Sequence, residues 1–194
     1  MVDDNSLNQR LAARVRQLRQ AAGLSLDGLA ARCGVSRSML SLIERGETSP
    51  TAVVLERVAH GLGLALAELF QAPPGAAPPP PVARRAEQAE WTDPGSGYRR
   101  RSLTPPGVDT VLQLVEVRFP PGARVAYETG ARAPAVQQQV WLMAGTLQIT
   151  VGPVTHQLAA GDCLAMRLDA PTAFYNPGHE PAQYLVAVAT LPAR

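Results

Sequence analysis

The sequence predicts a two-part α + β chain, a bundle of five short helices followed by a closed barrel or sandwich of short strands. Three observations carry this. Apolar residues recur at helical spacing through residues 7–70. Residues 71–81, QAPPGAAPPPP, then break every periodic pattern. Beyond residue 82 the apolar residues fall into short β-rich runs separated by proline and glycine. The expected divisions are a helical domain at 1–70, a proline-rich linker at 71–82 and a β domain at 83–194.

The first expected helix covers residues 7–22, with Leu7, Leu11, Val15 and Leu18 on one stripe, arginines between them, and Gly23 at its end. Ser25 caps the second, because its hydroxyl can accept from the free N–H groups of the opening turn. Leu26, Leu29 and Ala30 form the apolar face of that helix, and Gly34 ends it. Ser36 caps a third, whose Met39, Leu40 and Ile43 are apolar, and Gly46 closes it. Pro50 opens the next element, a helix at 51–62 with Val54, Leu55, Val58 and Leu62 on one stripe, and a short fifth helix follows at 65–70. The linker prolines favour stiff, extended polyproline II, which suits a spacer; such stretches also serve as partner ligands. In the second half an alternating strand is expected at 111–119 and a hairpin across 137–151, turning at Ala144-Gly145. Further strands are expected at 154–158, 163–168, 173–175 and 183–189.

Composition bounds the function. The chain has 194 residues, enough for two modest domains, with 46% hydrophobic and 18% charged residues. All 18 basic residues are arginine, and the formal charge is only +2, so any affinity for nucleic acid has to come from local placement. The two cysteines, Cys33 and Cys163, fall in different expected domains, which fits a reducing cytoplasm rather than a disulfide framework. Residues 1–6, MVDDNS, lack a signal-peptide core, and no apolar run is long enough to span a bilayer. The expectation is a soluble cytoplasmic protein.

The pattern Ala30, Gly34, Leu40 and Ile43 resembles the helix-turn-helix signature: a small residue where the helices cross, a glycine at the turn, and two aliphatics anchoring the second helix. An ordinary pair of packed helices would show the same periodicity. The segment GVSRSMLSLIERGETSP and its flanks at 7–70 resemble the Xre family of lambda-repressor-like bacterial regulators. The resemblance implies that residues 36–45 lie in the DNA major groove, presenting Ser36, Arg37, Ser38, Ser41 and Arg45, while Ser25 meets a phosphate. It also implies a structural pair between Glu44 and Arg19. Leu42 stands where a base-reading glutamine is common, so it could only touch a thymine methyl or pack, and base readout leans on Arg37 and Ser38.

Residues 112–191 resemble the cupin fold, a jelly-roll barrel. Pro121-Gly122-Ala123 and Gly145 bracket a first motif; Gly161-Asp162, Pro171 and Asn176-Pro177-Gly178 mark a second. The metal positions implied by that resemblance fall on Glu128, Gly130, Gln138 and Thr172, with no histidine among them, so a metal-free barrel with no cofactor and no catalytic residue is expected. The three histidines, His60, His156 and His179, are not at ligand spacing, and both cysteines read as packing residues. Glu128, Gln138 and Thr172 are expected to point inward, with Tyr127 and Phe174 as walls, forming an effector site. The bland alternative is that they only fill a barrel whose task is to dimerise. Trp141, out of phase with Gln138, should face outward, toward packing or a dimer interface. Arg99-Arg100-Arg101, the densest charge run, fits a second DNA contact, a solvated strand edge or an anchor for an anionic effector.

Together these readings point to a transcriptional regulator, acting as a repressor, that binds double-stranded operator DNA as a homodimer joined through its cupin domains, senses a small molecule and meets no membrane. The alternatives are a cupin enzyme with an autoregulatory DNA-binding head, and an antitoxin-like interaction protein.

Overall fold

The computed structural model describes residues 4–71, 79–128 and 135–190. Most of the expected linker, residues 72–78, lies outside them, as does Gly130.

Four α-helices open the chain: α1 (Asp4–Ala21), α2 (Leu26–Cys33), α3 (Arg37–Arg45) and α4 (Ala52–Gly61). Their ends are set by local chemistry. The Ser25 hydroxyl accepts from the N–H of Gly28 at 3.0 Å, and the Ser36 hydroxyl from that of Met39 at 3.2 Å. Gly34 ends α2 at φ 65°, a left-handed backbone that a side chain would strain. The expected fifth helix is a 3₁₀ turn, Leu66–Phe70, whose first N–H, from Ala65, donates to Glu68. Val15, Leu29, Leu40, Ile43, Leu55 and Val58 are almost wholly buried and form the helical core. Arg19 and Glu44 close that core from α1 to α3 with a bidentate pair at 2.6 and 2.9 Å, and Arg19 also donates to the Leu24 carbonyl at 2.6 Å.

Ten strands follow. A six-stranded antiparallel sheet runs β1 (Glu90–Thr92), β2 (Arg99–Ser102), β3 (Leu112–Phe119), β10 (Ala182–Thr190), β5 (Val136–Ala144), β8 (Cys163–Arg167). A four-stranded sheet runs β4 (Arg124–Tyr127), β9 (Thr172–Tyr175), β6 (Thr146–Val151), β7 (Val154–Ala159). Alternate residues of both sheets point inward and supply one core: Val117, Phe119, Val140, Leu142 and Val186 from the larger, Val125, Leu147, Ile149 and Phe174 from the smaller. This is the expected jelly-roll architecture.

Two local expectations change. Residues 137–151 do not form a hairpin. β5 pairs with β10 and β8, whereas β6 pairs with β7 and β9, so Ala144-Gly145 carries the chain from one sheet to the other. Gly145 sits at φ 82°, and a Cβ there would lie 3.0 Å from the Ala182 Cα, so only glycine fits the crossing. Cys163 is exposed rather than a core residue, because it opens β8 on the outward phase beside Trp141; Cys33 is buried as expected.

The helices are docked on the barrel rather than merely tethered to it. Asp93, only 3% exposed, accepts from the Ala52 N–H at 2.8 Å at the start of α4, and with its other oxygen from the Ser96 N–H and hydroxyl. The carboxylate thus satisfies an orphan N–H of the helix and opposes its positive end. Phe70 packs on Trp91 with ring centroids 5.6 Å apart, and Trp91 meets Tyr98 edge-on. Thr190 donates to Glu68 at 3.1 Å.

Candidate DNA interface and barrel cavity

On α3 the buried Leu40 and Ile43 hold one face against the core, and the opposite face is open. Ser36, Arg37, Ser38 and Arg45 are exposed; Ser41 and Leu42 are half-buried. Ser25, also exposed, stands at the start of α2. The polar groups here hold one another only loosely. Arg37 lies 3.3 Å from Asp27, with both side chains more than half in solvent. Arg45 donates to both oxygens of Glu47 at 2.8 Å and also to the Ser41 hydroxyl. That contact draws the Glu47 carboxyl below its usual range. Exposed pairs of this kind add little to stability and exchange readily for phosphate or a base edge. Ser36 shares its hydroxyl between the helix cap and Ser38, at 3.1 Å, so its acceptor role is largely occupied. Leu42 can offer only apolar contact.

The barrel holds a partly open cavity of about 100 Å³, room for several waters or a small molecule. Of the five expected effector residues, Tyr127, Gln138, Thr172 and Phe174 line it. Glu128 does not. Tyr127 faces inward, so the next residue faces out, and Glu128 instead pairs with Arg57 of α4 at 3.0 Å with its side chain 77% exposed. This corrects the expectation that it points inward.

The wall also holds Tyr98 and Tyr184, which were not singled out from sequence, and Arg100, which the sequence offered only within the Arg99–Arg101 run, with an anionic anchor as one of three readings. Tyr98 and Tyr127 bring their hydroxyls within 3.4 Å, and Tyr184 stacks on Phe174. Burial holds all three phenols above their ordinary pKa, so they are neutral donors. The arginine run divides by strand alternation. Arg99 and Arg101 share Glu90 on one face, and Arg101 also reaches Glu116 at 3.2 Å. Arg100, paired across to Trp91 and Val117, turns into the barrel. The repeat RRR hides this period of two, and the signal that could have exposed it is the phase of neighbouring Tyr98. The remaining part of the wall is helical: Glu56 of α4 and residues 65–67 at the start of the 3₁₀ turn.

The metal positions implied by the cupin resemblance do not fit a transition ion. Gln138 and Thr172 offer only neutral oxygen donors, Glu128 faces away, and Gly130 lies outside the described residues. Among the described residues no group of three or more His, Cys, Asp or Glu side chains could hold a metal.

Residues 10–71 match the family described as a helix-turn-helix domain. The chain is 41% identical over 73 residues to the HTH-type transcriptional regulator SutR of Escherichia coli, a match covering 38% of this chain and 41% of SutR. It is 25% identical over 164 residues to the E. coli regulator PuuR, covering 84% of this chain and 85% of PuuR. It is 34% identical over 67 residues to the control protein C.MunI of Mycoplasma sp, covering 34% of this chain and 90% of that relative. An HTH_3 family transcriptional regulator from Vibrio cholerae has the same fold across 97% of this chain and 99% of its own, with TM-score 0.76 and 24% identity. Among the described residues no helix is long and apolar enough to cross a membrane. The open face of α3, the capped turn before it and the barrel behind it agree with these matches: the chain belongs to the helix-turn-helix transcriptional regulators and carries a C-terminal jelly-roll barrel.

Proposed function

We propose that the protein is a cytoplasmic, non-enzymatic, metal-free repressor whose operator affinity is set by a small molecule in the barrel. The observation that carries this reading is the composition of the cavity wall. Ala65, Leu66 and Ala67, immediately after the DNA-binding helices, face Gln138, Thr172 and Phe174 of the barrel across one space. A ligand there touches both units at once. If it favours one packing of helices on barrel, it shifts the population of heads competent for DNA. The functional division is then 1–70 for the head, 71–82 for the linker and 83–194 for the sensor, with the coupling running through docked side chains as well as the linker.

The head reads DNA through Arg37, Ser38, Ser41 and Arg45, with Leu42 against a thymine methyl and Ser25 and Ser36 at phosphates. A homodimer places two heads on half-sites about one helical turn or a multiple apart. The outer face of the larger sheet supports this assembly: Trp141 lies opposite Leu185, and Trp141, Met143 and Leu112 are 47%, 38% and 46% exposed on its outward phase. Selection of a duplex from a random pool, followed by fluorescence anisotropy with the full chain and its Arg37→Ala variant, tests the reading. Weaker binding by a folded variant supports the recognition helix; unchanged binding sinks it. Light scattering on Trp141→Glu tests the interface: a fall from two chains to one is expected, and an unchanged dimer removes this face from the proposal.

A further inference from the structure

Arg100 is a buried charge with no carboxylate partner among the described residues. Its residue is 5% exposed, and among the described residues no carboxylate lies within ion-pair distance and no side-chain hydrogen bond reaches it. Its Nε is buried without an acceptor. Its guanidinium carbon lies 4.1 Å from the centroid of the Phe70 ring, which covers one face of the group and leaves its edge, where the N–H donors lie, for another partner. The contrast with its neighbours is sharp. Arg99 and Arg101, one residue to either side, both have carboxylates. Burying an unpaired guanidinium is costly, and folded proteins keep such a group where something else supplies the counter-charge. Here the group borders the cavity, alongside the neutral hydroxyls of Tyr98 and Tyr127. Glu56, in the same wall, is not free either: it has an interaction of its own.

We infer that Arg100 anchors a carboxylate-binding subsite and that the effector is a small organic monoacid. The inference rests on the effector reading above. The carboxylate takes the guanidinium as a fork, with the Tyr98 and Tyr127 hydroxyls as further donors, and a short carbon chain lies against Val115, Val117 and Phe174. One cation balances one negative charge, which favours a monocarboxylate over a phosphate dianion. The cavity of about 100 Å³ suits a short carbon chain. Because Phe70 stacks on the same guanidinium, the acid is felt directly by the last turn of the helical head.

Thermal unfolding of the full-length protein tests this, with formate, acetate, propionate and butyrate as probes. Their amides and sodium chloride at equal ionic strength are the controls. The expected result is a saturable rise in Tm for at least one acid, about 5–10 °C at a hundredfold excess over Kd, and none for its amide or chloride. Arg100→Met is expected to fold and lose the rise, and Arg100→Lys to keep a weaker one. Failure of every acid, equal stabilisation by the amides, or an undiminished rise in a folded Arg100→Met would overturn the inference. If Arg100→Met does not fold, Arg100→Lys decides: a response equal to that of the wild type counts against the guanidinium fork. An acid that binds through Arg100 but leaves operator affinity unchanged would instead defeat the regulatory reading while leaving the subsite standing. An uncharged molecule that shifts operator affinity would do the reverse.

Discussion

Helix α3 and strand β2 are both short, arginine-bearing elements, and they use the residue in opposite ways. The arginines of α3 sit in water and lean on carboxylates they can release: Arg37 on Asp27, Arg45 on Glu47. On β2, Arg99 and Arg101 keep to the outer face with Glu90 and Glu116, while Arg100 is sealed inside with an aromatic ring for company. Solvation makes the difference. An exposed guanidinium can change partners at little cost, which suits an output that meets and leaves DNA. A buried one binds its counter-charge selectively, which suits an input. A chain of packed elements joins them: α3 packs on α1, α1 on the 3₁₀ turn, and Phe70 of that turn on Arg100.

The comparison can be broken at four places. The largest effect is expected from Glu44→Ala. It strands Arg19, whose side chain is 12% exposed, and should lower stability by about 3–5 kcal/mol in chemical unfolding without touching the barrel. Next is Asp93→Ala, which removes a charged acceptor from the first turn of α4 and from Ser96. A loss of roughly 1.5–3 kcal/mol is expected in the same measurement, with easier proteolysis between head and barrel. Arg37→Ala should leave stability unchanged and weaken operator binding by about 1–3 kcal/mol, read by anisotropy. The smallest is Arg100→Met in the absence of acid. Replacing an unpaired buried charge by an apolar chain of similar length should raise stability by about 1 kcal/mol, less whatever the contact with Phe70 contributes. A large loss there would mean that Arg100 is structural, and the contrast with α3 would fail.

How much of this was legible in the sequence follows the range of the interactions. Ser25, Gly34, Ser36 and Gly46 set their helix ends through contacts a few residues away, so the α2–α3 unit was readable directly. The Arg19–Glu44 pair, 25 residues apart, was reachable only through the family resemblance. The hairpin expected at Ala144-Gly145 failed because a turn signal does not say which sheet the next strand joins; the approach of Ala182 decides that, from far along the chain. Glu128 was misplaced by counting from motif glycines across a segment whose strand phase was unknown. Arg100 was visible only as the middle of a charge run, and its burial depends on β1 and β3 pairing on either side. Asp93 is the pin between the two units, and nothing local in the sequence marks it as such.

The central claim is that the DNA-binding head responds to what occupies the barrel. Its most direct test is the affinity of the full-length protein for its selected operator duplex, measured by fluorescence anisotropy at fixed ionic strength with and without a saturating acid identified by thermal shift. The account predicts a change in Kd of at least about fivefold, absent in Arg100→Met and absent with the matching amide. An operator Kd that is the same with the cavity filled and empty would contradict it.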